Sequence, residues 1–202
     1  MTALILVDIQ NDFLPGGTLG VPKGDEILVA ANELLQMPFK LKIASVDDHP
    51  SGHISFASTH HKKAGEHVGS QILWPDHCVH GTKGAELRVD TAKLDKIVRK
   101  GTDPFIDSYS AFYDNNRKKS TGLSEFLKSN GVKRIAIGGL ATDYCVLWSV
   151  LDALAEGFAV DVIQEACRGI NMKEGDVTTA YKQMEKGGAR LFPTVTSYRS
   201  SI

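Results

Sequence analysis

Three residue types able to carry acyl-transfer chemistry stand far apart in the sequence: a carboxylate at Asp8, an amine at Lys100 and a thiol at Cys145. A thiol attacks as its thiolate, and a carboxylate within reach can accept the proton that attack releases. Cys145 follows Thr142-Asp143, a helix-capping pair, and precedes the apolar positions of a strong helical pattern. That placement puts it in the first turn of a helix, where unpaired backbone N–H groups lower a thiol pKa and can hold an oxyanion. Cys145 also fits a plainer description, a small apolar residue packed on a sheet, and Cys78 and Cys167 fit only that one. A second concentration is the histidines: all seven lie between His49 and His80. Asp47 and His49 alternate along the chain, so an extended backbone turns both toward one cation. Imidazoles with one carboxylate and open positions suit zinc, iron or manganese in a catalytic site. The spacing matches neither a zinc finger nor a helical H-E-x-x-H pattern. The alternative is a His-rich polar surface loop, and His60-His61-Lys62-Lys63 reads that way.

The elements that must position these groups alternate in type. Strands are expected at 4–7, 42–46, 97–98, 134–137, 158–163 and 189–192, from short apolar runs. Helices are expected at 24–36, 122–130, 143–156 and 173–185, from apolar residues at helical spacing. Such alternation predicts an α/β fold with a six-stranded, mostly parallel sheet between two helical layers. No linker or repeat divides the chain, so one domain over residues 1–202 is expected. Ligands of such sheets bind beyond the carboxyl ends of the strands. Four consecutive strands end there in Asp8, in Asp47-Asp48-His49, in Lys100 and in 140–145. The irregular stretches 47–90 and 100–120 exceed ordinary loop length, which favours a functional role.

Composition narrows the partners. The 23 basic and 24 acidic residues leave a net charge of −1, so neither nucleic acid nor a membrane surface is an expected partner. The three cysteines cannot all pair within one chain, and free thiols suit a reducing compartment. The first residues lack a basic n-region, and no apolar run reaches the roughly 20 residues of a membrane span. A cytoplasmic protein is the expectation.

The motifs that hold these residues resemble those of the nicotinamidases, within the isochorismatase-like cysteine hydrolases. They are Leu6-Val7-Asp8-Ile9-Gln10-Asn11-Asp12-Phe13 with Pro15-Gly16-Gly17; Asp47-Asp48-His49-Pro50 with His53-Ile54-Ser55-Phe56-Ala57; Trp74-Pro75-Asp76-His77-Cys78-Val79; Lys100-Gly101-Thr102; Asp107-Ser108-Tyr109-Ser110; and Gly138-Gly139-Leu140-Ala141-Thr142-Asp143-Tyr144-Cys145-Val146. The resemblance covers nearly the whole chain. It implies an isochorismatase-like, Rossmann-like fold and hydrolysis of nicotinamide, with pyrazinamide-like amides as further substrates, to the acid and ammonia through a cysteine thioester. It implies a catalytic triad of Asp8, Lys100 and Cys145, and an oxyanion hole at Ala141 and Cys145 following a cis peptide before Ala141. It implies a substrate pocket of Phe13, Leu19, Trp74, Tyr109 and Ala141. It also implies one divalent metal per chain, zinc first and iron or manganese otherwise, on Asp47, His49 and His77, with His53 as a possible further ligand. A role in NAD salvage and a homo-oligomeric state are compatible with it.

The chain departs from the family pattern at Asp48, where an aromatic residue is usual, at Asp76 beside His77, and at Asp103, often Asn. A carboxylate next to each histidine would alter metal preference or the hydrogen bonds behind the ligands. Rival readings are an isochorismatase or N-carbamoyl amidohydrolase, which lack the metal pattern, a structural zinc domain, and a non-enzymatic dinucleotide-binding module. The last lacks support, since no G-x-G-x-x-G follows the first strand.

Overall fold

The computed structural model describes residues 1–201. Leu4-Ile5-Leu6-Val7 is apolar on both sides of its pleat, and such a strand is stable only with both faces covered. It becomes a central strand. In chain order the elements are β1 (Thr2–Val7), α1 (Ile27–Gln36), β2 (Leu41–Asp47), the small hairpin β3 (His67–Val68) and β4 (Gln71–Ile72), β5 (Lys96–Lys100), α2 (Leu123–Ser129), β6 (Arg134–Leu140), α3 (Leu147–Ala155), β7 (Ala159–Arg168), α4 (Asp176–Lys186), β8 (Arg190–Phe192) and α5 (Val195–Arg199). The main sheet runs β5-β2-β1-β6-β7-β8, and every pairing in it is parallel.

Alternation along β1 divides the core. Ala3, Ile5 and Val7 face one layer, with Leu127 of α2, Val150 of α3 and Met184 of α4. Leu4 and Leu6 face the other, with Leu34 of α1 and Val195 of α5. Each such side chain, buried fully, contributes about 1.5–3 kcal/mol. The chain winds outward from β1 through β2 to β5, then returns to β6 and winds the other way. The crevice at that reversal, above the carboxyl ends of β1 and β6, is where open α/β sheets bind ligands.

The six expected strands and the three layers are present, with instructive differences. β5 extends to Lys100, so the lysine is the last residue of the strand rather than part of the loop. Charged Lys96 and Arg99 hide that edge strand from an apolar count. β7 runs on to Arg168, past half-exposed Gln164 and exposed Glu165, and its register against β6 shifts between Ile137 and Gly139. The helical pattern at 24–36 opens with a 3-10 turn at Gly24–Glu26, and the pattern at 143–156 opens with a π-helical turn at Thr142–Val146. The hairpin and α5 were not expected. Residues 47–90 fold back on themselves through parallel bridges pairing His49 with Val79 and Phe56 with Trp74.

Gly139, at φ +137°, is where β6 presses on β1, and a Cβ there would land on the Val7 carbonyl oxygen. This close approach brings the turn after β6 beside Asp8. On the far side, Glu156 ties three segments together: its carboxylate accepts from Lys128 Nζ (2.6 Å), Ser124 Oγ (2.5 Å) and the Tyr113 hydroxyl (2.5 Å). These bonds, Lys128 first, hold its carboxyl down to about 2 from an ordinary 4.5. A depressed carboxyl stabilises the fold above its unfolded pKa and loses that contribution as pH falls through the folded value. Glu156→Gln is therefore expected to lower Tm at pH 7 by about 2–4 °C, the shift for roughly 1 kcal/mol. The deficit relative to wild type should shrink below pH 4.5 and vanish near pH 2 in a calorimetric series.

Candidate active site

Four strand ends meet at one buried ammonium. Lys100, at the end of β5, donates through Nζ to Asp47 Oδ1 (2.6 Å), the Ser108 carbonyl (2.8 Å) and Cys145 Sγ (3.4 Å). An ammonium carries three N–H donors, and these three partners use them. Asp8 Oδ2 is a fourth partner, 2.9 Å from Nζ, an ion pair in poorer hydrogen-bond alignment than the other three. Its other oxygen accepts from Ser45 Oγ at 2.6 Å. One oxygen each of Asp8 and Asp47 and the Cys145 sulfur lie within 4.8 Å of one another.

The electrostatics correct one expectation. Burial pushes the Cys145 thiol well above its ordinary pKa, although Lys100 pulls the other way. The turn holding it is π-helical with Ala141 as its cap, and no side chain caps it. Asp143 does not serve as a cap; its carboxylate accepts from the Ile170 and Asn171 N–H groups at 2.9 and 2.7 Å, docking the segment after β7. Burial also raises Asp8 against the pull of Lys100. For Lys100, burial is outweighed by Asp47 and Asp8, and the ammonium is held well above its usual range. The resting arrangement is a thiol beside the Asp8 carboxyl, both held above their ordinary ranges by burial. Cys78 and Cys167 are packing residues as expected; burial raises both, Cys167 to about 12.

Beside this cluster, Asp47 Oδ2 lies 3.7 Å from His49 Nε2 and 3.9 Å from His77 Nε2. These separations exceed hydrogen-bond reach, and the three ligand atoms lie within 4.8 Å of each other. Each ring is oriented from behind: His49 Nδ1 bonds the Gly101 carbonyl (2.9 Å) and His77 Nδ1 the Pro75 carbonyl (2.7 Å). Nδ1–H is therefore the donor and Nε2 the free lone pair, the arrangement of metal-binding histidines. This donor set fits a divalent cation such as zinc. His53 is not in this group but forms a second one with His49 and Asp107, ligand atoms within 4.8 Å of one another; it stacks on His49 at 4.2 Å, bonds Ser55 Oγ through Nδ1 (2.8 Å), and burial lowers it to about 4. The neighbouring carboxylates do not back the ligands. Asp48 pairs with His80 (2.8 Å) and Arg99 (3.0 Å), Asp76 accepts from Ser58 Oγ (2.5 Å), and Asp103 accepts from the Phe105 N–H (3.0 Å). In the His60–Lys63 run, His61, Lys62 and Lys63 are exposed, while His60 is half-buried against the Ile54 carbonyl.

A narrow cleft opens over Cys145 and Asp47. Phe13, Leu19, Trp74, Tyr109 and Ala141, the residues that the resemblance implied for the substrate pocket, line it. The Leu140–Ala141 peptide is cis, also as expected. Tyr144, Ile170 and Asp107 line it too, and the sequence reading did not single them out. Trp74 Nε1 donates to the Tyr109 hydroxyl (3.2 Å), and its ring meets Tyr144 edge-on at 5.0 Å.

The reading also missed the polar residues that hold the site from behind. The buried Gln10 amide accepts from the Asp47 N–H (2.8 Å) and donates to the Asp47 carbonyl (2.8 Å), pinning that ligand's backbone on both sides. Asp12 accepts from the Cys78 N–H at 2.7 Å, joining the Phe13 loop to the His77 loop.

The Isochorismatase domain family matches residues 2–195. The chain is 43% identical over 199 residues to the nicotinamidase of Escherichia coli, covering 94% of this chain and 93% of that one. Among solved structures it superposes on PnC1 of L. infantum in complex with nicotinate with a TM-score of 0.85, at 34% identity and coverages of 95% and 92%. It superposes on the zinc complex of the pyrazinamidase of Pyrococcus horikoshii with a TM-score of 0.81, at 39% identity and coverages of 95% and 98%. With its family matched over almost its whole length and its fold shared with these enzymes, the chain belongs to the isochorismatase family and groups within it with the nicotinamidases.

Proposed function

We propose that this protein hydrolyses nicotinamide to nicotinate and ammonia, with Asp8, Lys100 and Cys145 as its catalytic residues. The observation that carries the reading is the Asp8 carboxyl beside the Cys145 thiol, with the Lys100 ammonium touching both. Asp8 Oδ2 takes the thiol proton, and Lys100 stabilises the thiolate. The sulfur attacks the carboxamide carbon, and the N–H groups of Ala141 and Cys145 hold the oxyanion. As the C–N bond breaks, Asp8 returns its proton to the departing ammonia and a thioester remains. Asp8 then deprotonates a water that attacks the thioester; nicotinate leaves and the thiol is restored. Phe13 and Trp74 supply the apolar walls for the pyridine ring.

Asp47, His49 and His77 would hold one divalent ion, for which zinc is our choice over iron or manganese on the strength of the zinc-bound relative. Such an ion supplies a Lewis-acid contact that orients the pyridine nitrogen. Pyrazinamide, another neutral aromatic amide, fits the same chemistry. We place the reaction in recycling of the pyridine ring for NAD synthesis, and the protein in the cytoplasm. Its three buried free thiols fit a reducing compartment, and no helix among the described residues is long and apolar enough to cross a membrane.

Cys145→Ala is expected to lower ammonia release from nicotinamide by about a thousandfold or more while the protein stays folded; retention of a tenth of wild-type turnover would overturn the assignment. Chelation should abolish turnover without the loss of far-UV circular dichroism that a structural zinc domain would show, and zinc, iron or manganese should restore it. Gly101 sits at φ +64°, and a Cβ there would land on the His49 ring. Gly101→Ala is therefore expected to weaken metal affinity about 10–100-fold in a chelator competition, since it displaces a ligand and its supporting carbonyl together.

A further inference from the structure

Four donor atoms surround Lys100 Nζ: Asp47 Oδ1 at 2.6 Å, the Ser108 carbonyl oxygen at 2.8 Å, Asp8 Oδ2 at 2.9 Å and Cys145 Sγ at 3.4 Å. An ammonium has three N–H bonds for these four partners. The mismatch falls on Asp8, whose fully buried Oδ2 lies 2.9 Å from Nζ but in poor hydrogen-bond alignment. Two carboxylates, a carbonyl and a sulfur form a donor set suited to a divalent thiophilic cation. The potential ligand atoms of Asp8, Asp47 and Cys145 lie within 4.8 Å of one another, as do those of Asp47, His49 and His77. Asp47 belongs to both groups, with Oδ1 toward the lysine and Oδ2 toward the histidines.

We infer that Lys100 occupies a latent second divalent-cation site made by Asp8, Asp47, the Ser108 carbonyl and Cys145, and that its ammonium keeps thiophilic metals off the Cys145 sulfur. A protein that holds zinc-like ions through Asp47 stations them one carboxylate away from its thiol. Thiolates are strong zinc ligands, so an ion moving across Asp47 would cap the sulfur, with the thiol proton released to water. The ammonium opposes this in two ways. It fills the centre of the donor set, and it carries the same sign of charge as the invading ion.

The inference shares with the proposed function the metal at Asp47, His49 and His77, and it is independent of the substrate. The test is cobalt(II) titration of metal-free protein, read by metal stoichiometry and by the near-ultraviolet thiolate-to-cobalt charge-transfer band. Wild type is expected to take one equivalent and show no band, even in excess cobalt. Lys100→Ala is expected to take two equivalents and develop the band, and Lys100→Ala/Cys145→Ala is expected to lose it. A Lys100→Ala protein with one equivalent and no band overturns the inference, as does wild type that develops the band. Should the alanine variant not fold, wild type still decides. Iodoacetamide should alkylate its Cys145 at the same rate with one and with several equivalents of zinc, and protection by the second equivalent overturns the inference. Wild type that takes up no cobalt counts against the metal part of the proposed function and leaves this inference to the Lys100→Ala band.

Discussion

Lys100 is the point on which the site is built. A lone ammonium cannot be buried in a protein interior without several kcal/mol of desolvation cost, and the same holds for the carboxylates of Asp8 and Asp47. All three are nonetheless buried. They are tolerable only together, because each supplies the charge or the hydrogen bonds that the others lost with water. Removing one partner from such a cluster typically costs about 3–5 kcal/mol, since it strands a buried charge. The sheet order makes the cluster possible. β5, β2, β1 and β6 are successive neighbours, so Lys100, Asp47, Asp8 and the turn leading to Cys145 emerge side by side at one end of the sheet.

The same dryness sets the chemistry. A helix start tends to make a thiol more acidic, but here burial outweighs the pull of Lys100 and the Cys145 thiol is held well above its ordinary range. A protonated nucleophile needs a base, and the base needs a vacant lone pair. Lys100 aligns its N–H bonds with Asp47, Ser108 and Cys145 and holds Asp8 Oδ2 mainly through charge, at 2.9 Å. Asp47 in turn divides its oxygens between the ammonium and the histidines, so the metal-binding group and the thiol are linked through a single carboxylate.

Precision comes from residues with no part in the chemistry. Gln10 clamps the backbone of Asp47, Ser45 fixes one oxygen of Asp8, and the Gly101 and Pro75 carbonyls set the two imidazole rings. Gly139 and Gly101 act through what they lack, since a side chain would strike Val7 at the first and His49 at the second. These supports fix the donors before any ligand arrives, which lets a small cleft orient a small molecule without reorganisation.

The amino-acid sequence by itself determined the alternating α/β pattern, the four strand ends that carry reactive groups, and the identity of those groups. Apolar runs such as Leu4–Val7 and motifs such as Ala141-Thr142-Asp143-Tyr144-Cys145 are local, and local patterns are legible in one dimension. Strand ends masked by charge were not, which is why β5 and β7 proved longer than their apolar cores. Gln10, Ser45 and Ser108 also escaped notice, because a polar residue signals nothing until its partner, 37 residues away for Gln10 and Ser45, is known. Only the tertiary structure decided that burial holds the Cys145 thiol above its ordinary range, that Gln10 clamps the Asp47 backbone, and how three N–H bonds are shared among four acceptors. Protonation and coordination depend on distances of a few ångströms between distant segments and on the water excluded from them, and neither quantity is written along the chain.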